Sequence, residues 1–135
     1  MESILLASAK TGISFNGHSM VRTLQRVLVC SPKNAGWDQP RLSSTWRDLG
    51  FHHPPDYEKA QSQHAALVAE LQKAGAEVLE LPPGDDLSLD AVYAHDASLP
   101  TDFGLILMRP GKANRIAEAR HHGVSCAAHG IPSLA

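Results

Sequence analysis

Apolar and polar positions divide this chain unevenly. Residues 26–30 read Arg-Val-Leu-Val-Cys, a short β-branched run stopped by Ser31-Pro32, which predicts a strand. Its unbroken apolar character predicts a strand covered on both faces. From Asp56 the period changes, and Ala60, His64, Leu67, Val68, Leu71 and Ala74 recur at helical spacing. Asp56 supplies an N-cap after Pro54-Pro55 and Gly75 a left-handed stop, so a helix is predicted over 56–74. Residues 77–81, Glu-Val-Leu-Glu-Leu, alternate as a half-buried strand closed by Pro82-Pro83-Gly84. Strand, loop, helix and strand in that order make an α/β unit.

The segments around this unit are less regular. Residues 33–55 have no period but hold Trp37, Trp46 and Phe51, which leaves two readings, a substrate-covering loop or an ordered surface loop. Residues 89–97 are predicted to form a strand through Val92 and Tyr93, with Asp90 and Asp96 at its two ends. A turn at Asp102-Phe103-Gly104 then leads into a second strand, 105–108, and an Arg109-Pro110-Gly111 corner. A helix is expected over 113–129, weakened by Gly123, and a further strand is expected to begin after Gly130-Ile131-Pro132. Residues 1–25 sustain no period and are expected to be a poorly ordered leader, with 26–135 as the folded part.

Composition narrows the function classes. At 135 residues and a net charge of −2, the chain is one domain at most and lacks the basic excess that a phosphate backbone demands, so no nucleic-acid partner is expected. Apolar runs are too short for a membrane span, and the N-terminus lacks the basic region of an export signal, so a cytoplasmic protein is expected. Two cysteines do not make a disulfide framework. No nucleophile elbow and no phosphate-binding glycine loop occur, and no cofactor is expected.

The candidate chemistry lies in residues 89–115. Asp90 and Asp96 could grip a guanidinium, whose planar fork of donors suits carboxylates, or could simply cap turns. Arg109 and Arg115 could clamp a carboxylate, or be solvated charges at a helix start. His95, beside Asp96, is either a pH-tunable donor or an outward residue of the strand. His122, Cys126 and His129 share a helix face with zinc-ligand chemistry, but no fourth ligand is evident and no metal is expected.

The run Asp90-Ala91-Val92-Tyr93-Ala94-His95-Asp96, followed by Arg109-Pro110-Gly111 and Arg115, resembles the guanidino-group-modifying superfamily. Amidinotransferases, arginine deiminases and dimethylarginine dimethylaminohydrolases make up that group. The resemblance implies an α/β fold, part of a five-bladed β/α propeller (pentein) built of ββαβ modules, of which this chain covers about the first one and a half. It implies that Asp96 contacts the substrate guanidinium, that Asp90 holds the amino-acid end and that Arg115 pairs with the α-carboxylate. His95 stands where dimethylarginine hydrolases carry Glu, so their particular substrate is not implied. The loop at 33–55 falls where the family has its substrate-covering loop.

The same resemblance calls for a nucleophilic Cys and a proton-moving His near the family's C-terminus, and both are expected beyond residue 135. Cys126 and His129 come too early to take those roles, so no catalytic residue is expected in this chain. The expectation is a truncated member of a family that hydrolyses or transfers the amidino group of arginine-like substrates. A non-catalytic binding or regulatory module that keeps a guanidino-acid half-site is the alternative. The expected partners are an arginine-like small molecule and, through exposed strand edges, a second copy or a complementing chain.

Overall fold

The computed structural model describes residues 19–134. Most of the expected leader therefore lies outside the described residues, and 19–25 carry no strand or helix. The first unit has strand β1 (Arg26–Val29), a loop with the short helix α1 (Pro40–Ser43) and a 3₁₀ turn (Ser44–Arg47), helix α2 (Tyr57–Lys73) and strand β2 (Glu77–Glu80). β1 and β2 pair in parallel, Val27 opposite Val78 and Leu28 opposite Leu79. A parallel pair needs a crossover, and α2 supplies it.

Local chemistry fixes the ends of α2. The Asp56 side chain accepts a hydrogen bond from the Lys59 amide at 3.0 Å, satisfying one of the helix's orphan donors. Gly75 leaves the helix at φ +92, a conformation that costs a residue with a Cβ. α2 has no fully buried residue, and its inner face is only half-buried against the two-stranded sheet. β1 likewise is half-buried along its whole length, which corrects the expectation of a strand covered on both faces. Leu28 packs against the apolar cluster around Cys30 and Leu81, while a cleft opens beside Val27 and Leu28 and leaves the strand half-buried.

The second unit departs further from expectation. Residues 89–97 are not a strand: Leu89–Val92 form a 3₁₀ turn and 93–97 an irregular bend. The reason is polar. Ser88 accepts from the Asp90 amide at 3.3 Å, and the Asn114 amide group reaches both the Ser88 hydroxyl (2.9 Å) and the Asp90 carboxylate (3.0 Å). Such side-chain bonds offer the backbone an alternative to a sheet ladder, and here they override the β preference of Val92 and Tyr93. Leu89, Asp90 and Ala91 are buried in consequence.

The hairpin exists, displaced toward the C-terminus. Strand β3 (Ser98–Thr101) pairs antiparallel with β4 (Gly104–Leu107), joined at the Asp102-Phe103 turn. The expected helix at 113–129 divides into a 3₁₀ turn (Ala113–Arg115) and helix α3 (Glu118–Ala128), which packs on the hairpin. After α3 the chain returns to β4: Leu105 bonds the Pro132 carbonyl and receives the Leu134 amide, both at 2.8 Å, making a parallel bridge to Ser133. Gly104, at φ +143, allows this approach, because a Cβ there would run into the Pro132 carbonyl.

One apolar cluster joins the two units. Cys30, Ala35, Leu81, Leu87 and Ala91 are buried together, with Leu28, Trp37 and Val92 against them. Trp37 closes it, donating its indole N–H to the Leu89 carbonyl at 3.0 Å and meeting Phe51 edge-on at 5.7 Å. The long loop is thus ordered and rests directly over the 3₁₀ turn that carries Asp90.

Candidate functional site

The site is organised by one arginine. Arg115 is the last residue of the 3₁₀ turn preceding α3, and only 8% of its surface is exposed. Its Nε and Nη2 donate to the two oxygens of Glu118, each at 2.8 Å, and Glu118 is fully buried. On another edge, Nη1 and Nη2 donate to the two oxygens of Asp96 at 2.7 and 2.6 Å. Nη2 also reaches the Tyr93 carbonyl at 2.8 Å. One planar guanidinium therefore holds two carboxylates in fork geometry and ties both ends of the 93–96 bend.

The electrostatics follow from these contacts. Hydrogen bonding from Arg115 holds the Asp96 carboxyl below the usual aspartate range, and the nearby Arg115 and His95 charges act in the same sense. Glu118 and then Asp96 push the Arg115 guanidinium further into its charged form. Two carboxylates against one guanidinium leave the cluster with one net negative charge. The Asp96 side chain is 44% exposed, so its outer edge faces solvent, and His95 and Tyr93 are exposed beside it.

Asp90 is placed differently. It is 3% exposed and holds Asn114 at 3.0 Å and the Lys112 ammonium at 3.4 Å. Lys112 also caps the Leu49 carbonyl at 3.1 Å, so Asp90 helps fasten the long loop from below. Of the five residues of 89–115 singled out from the sequence, the structure brings Asp96 and Arg115 into direct contact and sets His95 next to them. Asp90 is turned inward to a separate network. Arg109 is exposed past the end of β4.

Glu118 escaped sequence reasoning, as did Asn114 and the Tyr93 carbonyl. A signal for Glu118 was present: Arg115 and Glu118 stand three apart, neighbours on a helical turn. Nothing in the sequence marked it as buried.

The histidines and cysteines have local partners. His122 is fully buried with its Nδ1 2.8 Å from the Ser98 hydroxyl, and its Nε2 has no partner among the described residues. Burial, reinforced by the Arg115 charge, drives its pKa down to about 4, so it is neutral at physiological pH. His129 is exposed and lies 2.9 Å from the Ser125 carbonyl. No group of three or more His, Cys, Asp or Glu among the described residues is arranged to hold a metal ion. Burial, with Glu80 and Glu118 behind it, pushes the Cys30 thiol up to about 12, and burial raises Cys126 as well. Neither is an activated nucleophile. None of the helices among the described residues is long and apolar enough to cross a membrane.

A cleft of about 360 Å³ opens between β1 and the hairpin, with Leu28, Leu79, His95, Ser98, Leu105 and Cys126 on its wall. It reaches the back of the bend that carries Asp96.

With this geometry in place, the comparisons point to guanidino-group-modifying enzymes as the class that the chain is similar to. The particular relative is dimethylarginine dimethylaminohydrolase. The curated enzyme of that name from Pseudomonas aeruginosa is 39% identical over 64 residues, 47% of this chain and 25% of that enzyme. A solved structure of the Pseudomonas aeruginosa enzyme, a Cys-to-Ser variant complexed with citrulline, superposes with a TM-score of 0.63 at 25% identity, over 84% of this chain and 43% of that one. An adduct of a His-to-Gly dimethylarginine dimethylaminohydrolase with S-methyl-L-thiocitrulline gives 0.61 at 24% identity, over 83% and 42%, a likeness of fold. No protein-family model matches the chain. The chain thus spans a quarter of the curated relative it matches and about two-fifths of the solved ones.

Proposed function

We propose that this chain carries the binding half of a guanidino-acid site, from a fold of pentein type in which residues 26–135 form the N-terminal one and a half modules of a five-bladed propeller. In the whole protein that fold would serve hydrolysis or transfer of the amidino group of arginine-like substrates, through a Cys nucleophile and a His supplied from outside this chain. The observation that carries the reading is Asp96: a half-exposed carboxylate, held toward its charged form and set by a two-point contact from Arg115, on a chain similar to an enzyme solved with citrulline. A guanidinium offers the donors that the outer edge of such a carboxylate lacks.

His95 and Tyr93 border the same opening, His95 as a donor or acceptor for the ligand's polar groups. Arg115 has five N–H groups. It makes five hydrogen bonds, three of them through Nη2, which leaves one Nη1 N–H to meet a ligand carboxylate. Asp90 takes part from below, holding the loop at 33–55 over the site through Lys112.

A second reading, a module that binds and does not react, is favoured by the two thiols. Both are buried and both are pushed toward the protonated form. The two readings share their first test. Titration of L-arginine and citrulline into the 135-residue chain by calorimetry is expected to give binding that Asp96→Ala abolishes. Absence of binding by the wild-type chain rejects the half-site. Incubated alone with arginine or methylated arginines, the chain is expected to form no citrulline; turnover would show that the chemistry needs no further cysteine and reject the division of labour proposed here.

A further inference from the structure

We propose that Glu118, which has no surface of its own, is the positioning residue of this site and sets the Asp96 carboxylate through the Arg115 guanidinium. The proposal rests on the reading that Asp96 faces the ligand, and extends it to a residue that no ligand touches.

Rigidity decides the direction of the coupling. Asp96 lies on a bend with no regular structure, where the neighbouring backbone anchors are the Tyr93 amide on Asp90 and the Met108 amide on Ala97. Arg115 lies on a single 3₁₀ turn, which by itself tolerates several side-chain directions. Glu118 sits in the first turn of α3, an 11-residue helix packed on the hairpin, and is fully enclosed. Both of its oxygens go to Arg115, so it is not spent on capping the helix. A guanidinium is planar and its donors are fixed in that plane. Once the Nε–Nη2 edge is locked on Glu118, the edge offered to Asp96 has one orientation left. The Tyr93 carbonyl, on the same Nη2, holds the start of the bend in register.

Glutamate is almost never fully buried without a partner, and removing one partner of such a pair leaves a charge in a dry environment. Loss of the Glu118 charge would free Arg115 to turn toward water, and Asp96 would lose its two-point contact. A purely structural Glu118 would cost stability and leave Asp96 as it was.

The Asp96 titration separates these cases. The charged groups acting on Asp96 are Arg115 and His95, with the neutral His122 behind them. Taking away a negative charge at 118 would, by Coulomb's law alone, push the Asp96 carboxyl further down. Loss of the Arg115 contact would move it up, toward the ordinary value near ~3.9. The directions are opposite.

The experiment follows the Asp96 side-chain carbon by NMR across acid pH in the 135-residue chain, for wild type, Glu118→Gln and Arg115→Lys, and measures L-arginine affinity on the same samples. Both variants are expected to raise the Asp96 midpoint and to weaken L-arginine about tenfold, as fits the loss of one charge-assisted fork. A midpoint that stays or falls in Glu118→Gln overturns the proposal. The titration is read without ligand, so a raised midpoint in a protein that ignores L-arginine supports the Glu118 coupling while rejecting the guanidine reading. Should Glu118→Gln fail to fold, Asp96→Asn tests the direction: Arg115 Nε–H is expected to stay protected from exchange, held by Glu118. Loss of that protection would mean that Asp96 anchors Arg115, and the proposal fails.

Discussion

The unit from β1 to β2 and the segment from Ser88 to the end of α3 are held together by different means. In the first, helix and strands meet mainly through half-buried aliphatic faces, with His64 of α2 tied to Glu80 of β2 at 2.6 Å as the chief polar contact, and the ends are set by one cap and one glycine. In the second, the decisive contacts are polar and partly buried: Glu118 to Arg115 to Asp96, Asn114 to Ser88 and Asp90, Ser98 to His122. An aliphatic face tolerates adjustment, because one apolar group can stand in for another of similar volume. A buried polar network does not, since each group without its partner bears its full desolvation cost. The second segment should therefore be the more brittle, and the more capable of holding a carboxylate still.

Three measurements press on that contrast. The largest effect is expected from Glu118→Ala, which removes the fully buried partner of Arg115 and leaves Asp96 as its remaining carboxylate. Urea unfolding should show a loss of about 4 kcal/mol, within the range for a broken buried pair. A loss below about 1 kcal/mol would place this pair with ordinary surface bridges and dissolve the contrast.

Acid should come next. The folded protein keeps His122 neutral down to about 4, whereas an unfolded chain protonates it near the ordinary 6.5. Between those values the unfolded state binds more protons, so stability is fully present above about 6.5 and falls as pH drops toward about 4. The displacement corresponds to about 3 kcal/mol. Asp96 acts in the same sense at lower pH, its contribution fading as pH falls below the ordinary carboxylate value; because its side chain is half in water, that share is small. Stability curves of His122→Asn and wild type should converge near pH 4; parallel curves would show that His122 is not desolvated.

The smallest effect belongs to the first unit. Asp56→Ala removes the α2 cap and should cost about 1 kcal/mol in the same urea assay, with little change in binding. A cost approaching that of Glu118→Ala would mean that both units depend on polar contacts alike.

This division also explains what the sequence made legible. β1, α2 and β2 follow from period and caps, and their observed bounds lie within a residue or so of the expected ones. The region 89–97 misled because Val92 and Tyr93 favour strands, while two of the groups that bend it, Asn114 and Arg115, lie 24 and 22 residues along the chain from the groups they hold. Asp96 and Arg115 were legible as a motif, yet their mutual contact was not, for spacing says nothing of which donors are already occupied. Glu118 drew no reading at all, since its spacing from Arg115 is common on helices. Only burial separates a carboxylate that braces a site from one that merely dissolves a surface.

The indole of Trp37 has a consequence of another kind. It bonds the carbonyl of Leu89, one residue before Asp90, and rests edge-on against Phe51 of the same long loop. Trp46, the second indole, lies under the Arg47 guanidinium at 4.8 Å. The molecule therefore carries an internal optical gauge: any lifting of the loop from the bend beneath it would wet Trp37 and redden its emission. Ligand entry and loop movement could be followed in real time on the unlabelled chain, with a Trp46→Phe variant isolating the signal.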